Sequence, residues 1–118
     1  MAARWVQGMV WAPRLQDGEL IQGVIEMFAR RSADMFAAQI RALLGRPDAS
    51  GLLAGIRCPT LVLCGQQDHW APAARHAEMA EKIPDARLVL VPDCGHMCTM
   101  ERPEAVTQAL LDWHAGAS

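Results

Sequence analysis

The chain has 118 residues, with 11 Lys plus Arg against 13 Asp plus Glu, a formal net charge of −2, and 52% hydrophobic residues. That length suits one domain or a piece of a larger one, the balanced charge lacks the electrostatic footprint of a nucleic-acid binder, and the apolar share excludes disorder. No apolar run approaches the ~18 residues of a membrane span, and Met1–Met9 holds no signal-peptide core, so the expectation is a cytoplasmic protein without nucleic-acid or membrane partners.

Residues 1–56 read as helices. Asp17-Gly18 is a turn or N-cap signal, and Leu20, Ile21, Val24, Ile25 and Phe28 follow at the spacing of one apolar helix face. Ser32 is placed to cap a second helix bearing Met35, Phe36, Ile40, Leu43 and Leu44, with Gly45 at its C-terminal C′ position. Arg46-Pro47-Asp48 breaks that helix, and Leu52, Leu53 and Ile56 suggest one more short turn.

From Pro59 the period changes. Thr60–Cys64 is a continuous apolar run ended by Gly65, the pattern of a strand buried on both faces in a parallel sheet. Pro72 at a first helical turn introduces Ala73, Ala77, Ala80 and Ile83 on one stripe. Pro84-Asp85 turns the chain into a second apolar run, Leu88–Val91. After the loop from Pro92 to Glu101, Pro103 opens a last helix with Val106, Ala109, Leu110 and Trp113 on one face. Strand, helix, strand, helix at this spacing implies an α/β unit with parallel strands.

In open parallel sheets the reactive groups gather at the carboxyl ends of the strands. The first such end presents Gly65-Gln66-Gln67-Asp68 and the second Asp93-Cys94-Gly95-His96. A carboxylate accepting from one imidazole nitrogen orients the ring, stabilises its cation and leaves the other nitrogen to act as base. Asp68 and His96 are therefore the candidate catalytic pair, two thirds of an acid–base triad. Gly95 permits the tight backbone path that aims the ring at the sheet edge.

Other polar and soft side chains carry blander readings. Cys94 and Cys98 flank His96 as a possible zinc half-site, but Cys58 and Cys64 are too widely spaced to complete it. The cysteines are expected to be small buried hydrophobes, with no metal and no cofactor. Cys94 and Cys98 also lie too close to His96 to align sulfur and ring on a substrate. His69 reads as a loop side chain and His76 and His114 as solvated. Trp70 packs either over the rim of the site or in the core, and Met97 either fills a gap or lines a pocket beside His96. Asp93 and Glu101-Arg102 read as turn and helix-start residues.

The stretch from Ile56 to Asp68 with Ala71-Pro72, and that from Ile83 to His96 with Glu101–Val106, resemble the last two strands, acid loop and histidine loop of α/β-hydrolases. Ala2–Leu53 is similar, less specifically, to the helical cap of enol-lactonase-like and carboxylesterase-like members. The resemblance implies a partial α/β-hydrolase fold. In it, residues 1–56 form a cap-like segment and residues 57–118 the C-terminal βαβα part of the core, with Asp68 as triad acid and His96 as general base. It also implies hydrolysis of an ester, lactone or related acyl bond of a small molecule. The family's Gly-x-Ser-x-Gly nucleophile elbow is absent: the serines are Ser32, Ser50 and Ser118. The chain is thus expected to supply acid and histidine without the nucleophile, to be inactive alone, and to need self-association or a complementary N-terminal half. The alternative is a non-catalytic relic or a binding and assembly module of the same fold.

Overall fold

The computed structural model describes residues 2–117, with side chains from residue 4 onward. In chain order the elements are helix α1 (Ala2–Met9), a 3₁₀ turn (Ala12–Gln16), α2 (Gly18–Ala29), α3 (Ala33–Leu44), a second 3₁₀ turn (Ser50–Gly55), strand β1 (Leu61–Gly65), α4 (Ala73–Lys82), β2 (Arg87–Val91), the short α5 (Cys98–Glu101) and α6 (Pro103–Gly116).

The predicted caps form. Asp17 Oδ1 accepts from the Leu20 amide at 3.1 Å, and Ser32 Oγ accepts from the Met35 amide at 3.2 Å. Each bond satisfies a donor that the first helical turn leaves open. Gly45 does close α3, but with φ −90 and its amide on the Arg41 carbonyl, so the left-handed freedom of glycine is not used there. Among the described residues the left-handed positions are Asp85 (φ 57) and Asp93 (φ 52), both in turns after or before a strand and both of a residue type that tolerates that region. Pro72 stands at the cap position just before α4 and not within its first turn, while Pro103 does occupy the start of α6.

β1 and β2 pair in parallel, with Leu61 opposite Arg87 and Gly65 opposite Val91, and α4 makes the crossover between them. The expectation of two strands buried on both faces holds only in part. Val62, Cys64 and Gly65 of β1 are buried, but in β2 only Val91 is, and Leu88 and Leu90 are each 37% exposed. Among the described residues the sheet has two strands, and that face of β2 is only partly covered. The same holds for the last helix: Val106 and Ala109 are buried, whereas Leu110 and Leu111 are 49% and 58% exposed.

A separate apolar cluster ties the helices to the second loop. Val6, Met9 and Val10 pack with Leu20 and Val24, and Met97 and Met100 close the cluster from the far end of the chain. Met97 is thus a core filler. Of the helices before β1, α3 buries none of its residues, and Leu44 is 80% exposed.

Candidate active site

The loop after β1 is a turn held by its own backbone. The Asp68 amide donates to the Gly65 carbonyl at 3.2 Å, and Asp68 Oδ1 accepts from the amides of Trp70 at 2.8 Å and Ala71 at 2.9 Å. These bonds consume one carboxylate oxygen and leave Oδ2 facing the next loop. There it meets His96 Nδ1 at 2.8 Å. The two residues named from the sequence are therefore brought together from positions 28 apart.

Burial pushes the Asp68 carboxyl up, but the Ala71 amide, the His96 ring and the Trp70 amide outweigh it, and the group is held below the ordinary carboxylate range. Its side chain is 3% exposed against 36% for His96. The pair thus has a sheltered anion behind a ring that remains open to solvent on one side. That asymmetry suits an acid that orients and a base that works.

The loops interlock through backbone and amide groups. The Gln66 amide reaches the Val91 carbonyl at 2.8 Å, extending the strand pairing by one residue. Gln67 and Cys94 then bond reciprocally: the Gln67 amide donates to the Cys94 carbonyl at 2.9 Å, and the Cys94 amide donates to Gln67 Oε1 at 3.0 Å. Gly65 lies so close beneath this loop that a Cβ there would collide with the carbonyl oxygens of Cys94 and Gly95. Gly95 is wedged in turn against the backbone of Met9, Val10 and Trp11, where a Cβ would come within 2.8 Å of the Met9 oxygen. The expected tight path at Gly95 is present, and its cause is close approach of another segment.

Two features of the surroundings were not legible as site residues. His96 donates its own amide to the Met9 carbonyl at 2.6 Å, so the end of α1 lies on the histidine loop. Glu101, read from the sequence as a helix-start residue, is 2% exposed and accepts from the amides of Trp11, Gly95 and Met97. The local pattern around Glu101 looks like any acidic first turn. The signal that could have marked it is its place five residues after His96, within reach of that loop's amides.

Trp70 resolves toward the rim. It is 46% exposed, and its ring centroid lies 5.5 Å from the imidazole and 5.7 Å from Trp5, which in turn touches Phe28 and Phe36. On another side Asp68 and His96 line an open cleft of about 300 Å³ with Leu63, Cys64, Cys98 and Thr99. His69 and His114 are exposed, and His76 is half-buried with Nδ1 beside the Pro72 carbonyl.

The thiols are poor nucleophiles in this setting. Burial pushes Cys64 up to about 11 and raises Cys94 and Cys98 as well, and the last two thiols point at the Gly95 carbonyl. Among the described residues no group of three His, Cys, Asp or Glu side chains is arranged to hold a metal ion. Ser32 is occupied by capping and the Ser50 hydroxyl by Asp48 at 2.6 Å. No helix among the described residues is long and apolar enough to cross a membrane.

Comparison with known proteins agrees with the fold. A model of the alpha/beta hydrolase family matches residues 2–109. A 2-hydroxy-6-oxononadienedioate/2-hydroxy-6-oxononatrienedioate hydrolase from Pseudomonas sp. is 31% identical over 108 residues, which is 90% of this chain and 38% of that protein. A thermophilic esterase from Thermogutta terrifontis superposes with a TM-score of 0.93 at 33% identity, over 98% of this chain and 43% of its own. The enol-lactonase of Burkholderia xenovorans LB400 shares the fold, with a TM-score of 0.85 at 24% identity, 97% of this chain and 44% of its own. The chain therefore spans less than half the length of each of these three.

Proposed function

This chain belongs to the α/β-hydrolase family, and from that membership we propose that it furnishes the acid and the base of a hydrolytic triad, Asp68 and His96, to a nucleophile that its own residues do not include. The observation that carries the reading is the 2.8 Å contact between His96 Nδ1 and an Asp68 carboxylate already anchored by two backbone amides. With Nδ1–H donated to Asp68, Nε2 holds the free electron pair. It takes the proton of an attacking hydroxyl, Asp68 stabilises the imidazolium that results, and the imidazolium then returns the proton to the leaving group. The substrate class is an ester, lactone or related acyl bond of a small molecule. The esterase named above, at 33% identity, supports that class.

In this reading residues 1–56 act as the cap-like segment and residues 57–118 as the acid-and-histidine end of the core. The half-exposed Leu88, Leu90, Leu110 and Leu111 are the surface that a complementary half, or a second copy, would cover. The absence of a Gly-x-Ser-x-Gly elbow from the sequence supports a nucleophile contributed from elsewhere.

The test joins the chain to the part of a related hydrolase that it does not span and follows p-nitrophenyl ester hydrolysis. The chain alone is expected to be inactive and the joined protein active, with His96→Ala lowering kcat by about 10⁴-fold or more. Turnover by the chain alone, or joined activity that survives His96→Ala, overturns the proposal. Light scattering on the chain by itself checks the surface. Association is expected, and a stable monomer of 12.9 kDa would count against it.

A further inference from the structure

The geometry points to Glu101 as the positioning residue of the histidine loop, a buried anion that locks the ring-bearing segment to the start of the helical region and so sets where His96 stands. This inference rests on the acid–base reading of Asp68 and His96.

A carboxylate that is 2% exposed must be compensated, because an ionised group taken out of water is costly without hydrogen bonds. Lysine or arginine is the usual partner, yet no cation pairs with the Glu101 carboxylate among the described residues. Its compensation is three main-chain amides from two distant parts of the chain. Oε1 accepts from Trp11 at 2.7 Å and from Gly95 at 3.0 Å, while Oε2 accepts from Met97 at 3.0 Å and shares the Gly95 amide at 3.1 Å. Gly95 and Met97 are the two neighbours of His96. The histidine is therefore gripped on both sides, and its own amide is spent on the Met9 carbonyl at 2.6 Å.

The grip also reaches outward. The Glu101 carbonyl accepts from Arg14 Nη1 at 2.6 Å, and Arg14 Nη2 pairs with Asp17, the cap of α2. A displacement of the segment 9–17 would thus be passed to residues 95–97 through the Glu101 side chain and carbonyl, beside the direct His96–Met9 bond. Bonds from amides to a carboxylate are the strong, short kind, and several on one anion define a position better than one. Asp68 fixes the rotation of the imidazole, and Glu101 fixes the backbone from which the imidazole hangs.

The experiment compares Glu101→Gln with Glu104→Gln, a control on the first turn of α6. In the intact chain, nuclear magnetic resonance of the His96 Nδ1–H reads the contact with Asp68 directly. Glu101→Gln is expected to broaden or shift that resonance and to move the amides of Trp11, Gly95 and Met97, while Glu104→Gln leaves them in place. In the joined protein Glu101→Gln is expected to lower kcat by about 10²-fold with KM within about twofold, the pattern of a misplaced catalytic group. Unchanged resonances, or an equal response to both variants, overturn the inference. If Glu101→Gln does not fold, amide hydrogen exchange on the unaltered chain decides it. Joint protection of Trp11, Gly95 and Met97 supports the grip, and exchange at the rate of exposed loops overturns it. A joined enzyme in which His96→Ala is harmless would sink the acid–base reading while leaving the resonance test of Glu101 intact.

Discussion

The helix α3 and the histidine loop are held by opposite means. α3 buries no residue, begins at a side-chain cap three positions from its donor, and leaves Leu43 and Leu44 half to four-fifths exposed. The loop from Asp93 to Met97 buries Cys94 and Gly95, and its bonds run to Gln67, Asp68, Met9 and Glu101. One element is made locally and has few tertiary supports. The other has almost no local structure and is positioned by the rest of the molecule. The candidate base, His96, stands on the second kind, where several segments over-determine the backbone.

The largest effect that would break this contrast is at glycine. Gly65→Ala places a methyl group on the carbonyl oxygens of Cys94 and Gly95, which belong to the backbone and cannot rotate away. The expected loss is about 3–5 kcal/mol, enough to unfold the chain in a urea titration. Gly51→Ala, in the helical region, meets nothing within 4 Å and is expected to change stability by no more than about 0.5 kcal/mol. Equal effects at the two positions would end the comparison.

Asp68→Asn is next, at about 1–3 kcal/mol, since it weakens bonds to a buried anion without removing their geometry. Its signature is in the pH dependence. The folded chain holds the Asp68 carboxyl below its ordinary value, so the unfolded state binds the proton more readily. The contribution is therefore complete above the ordinary carboxylate pKa of about 4 and disappears as pH falls through the lower value of the folded chain. Asp68→Asn should flatten that acid arm, which stability curves at several pH values will show; an unchanged arm would assign it to other carboxylates.

Ser32→Ala should produce the smallest change, about 0.5–1 kcal/mol, because it removes one capping bond at an exposed end. It is expected to appear as lost helical circular dichroism with no change in the His96–Asp68 resonance. A shift of that resonance would show that α3 and the loop are coupled more tightly than their contacts suggest.

Much of the fold was legible because its causes are local. Asp17 and Ser32 cap as their spacing predicts, and the apolar runs at Leu61 and Leu88 form parallel strands. Asp68 and His96 could be named because each follows a strand, and a parallel pair puts both strand ends on one edge. The partial exposure of β2 was not legible. An apolar run reports what a strand can bury, and Leu88 and Leu90 each stay 37% exposed. Glu101 was misread for the opposite reason. Its sequence neighbours describe a helix start, while one of its partners, Trp11, is 90 positions away.

The amino-acid sequence by itself determined which residue types stand at the two strand ends, where the helices begin, and that the charge is nearly balanced, since these depend on composition and on contacts a few residues apart. Only the tertiary structure decided that Asp68 Oδ2 reaches His96 Nδ1, that Gly65 and Gly95 must be bare, and that a buried glutamate holds the loop. The physical reason is range. Hydrogen bonds and steric contact act over about 3 Å in space, and only a fold can bring residues 28 or 90 positions apart within that distance.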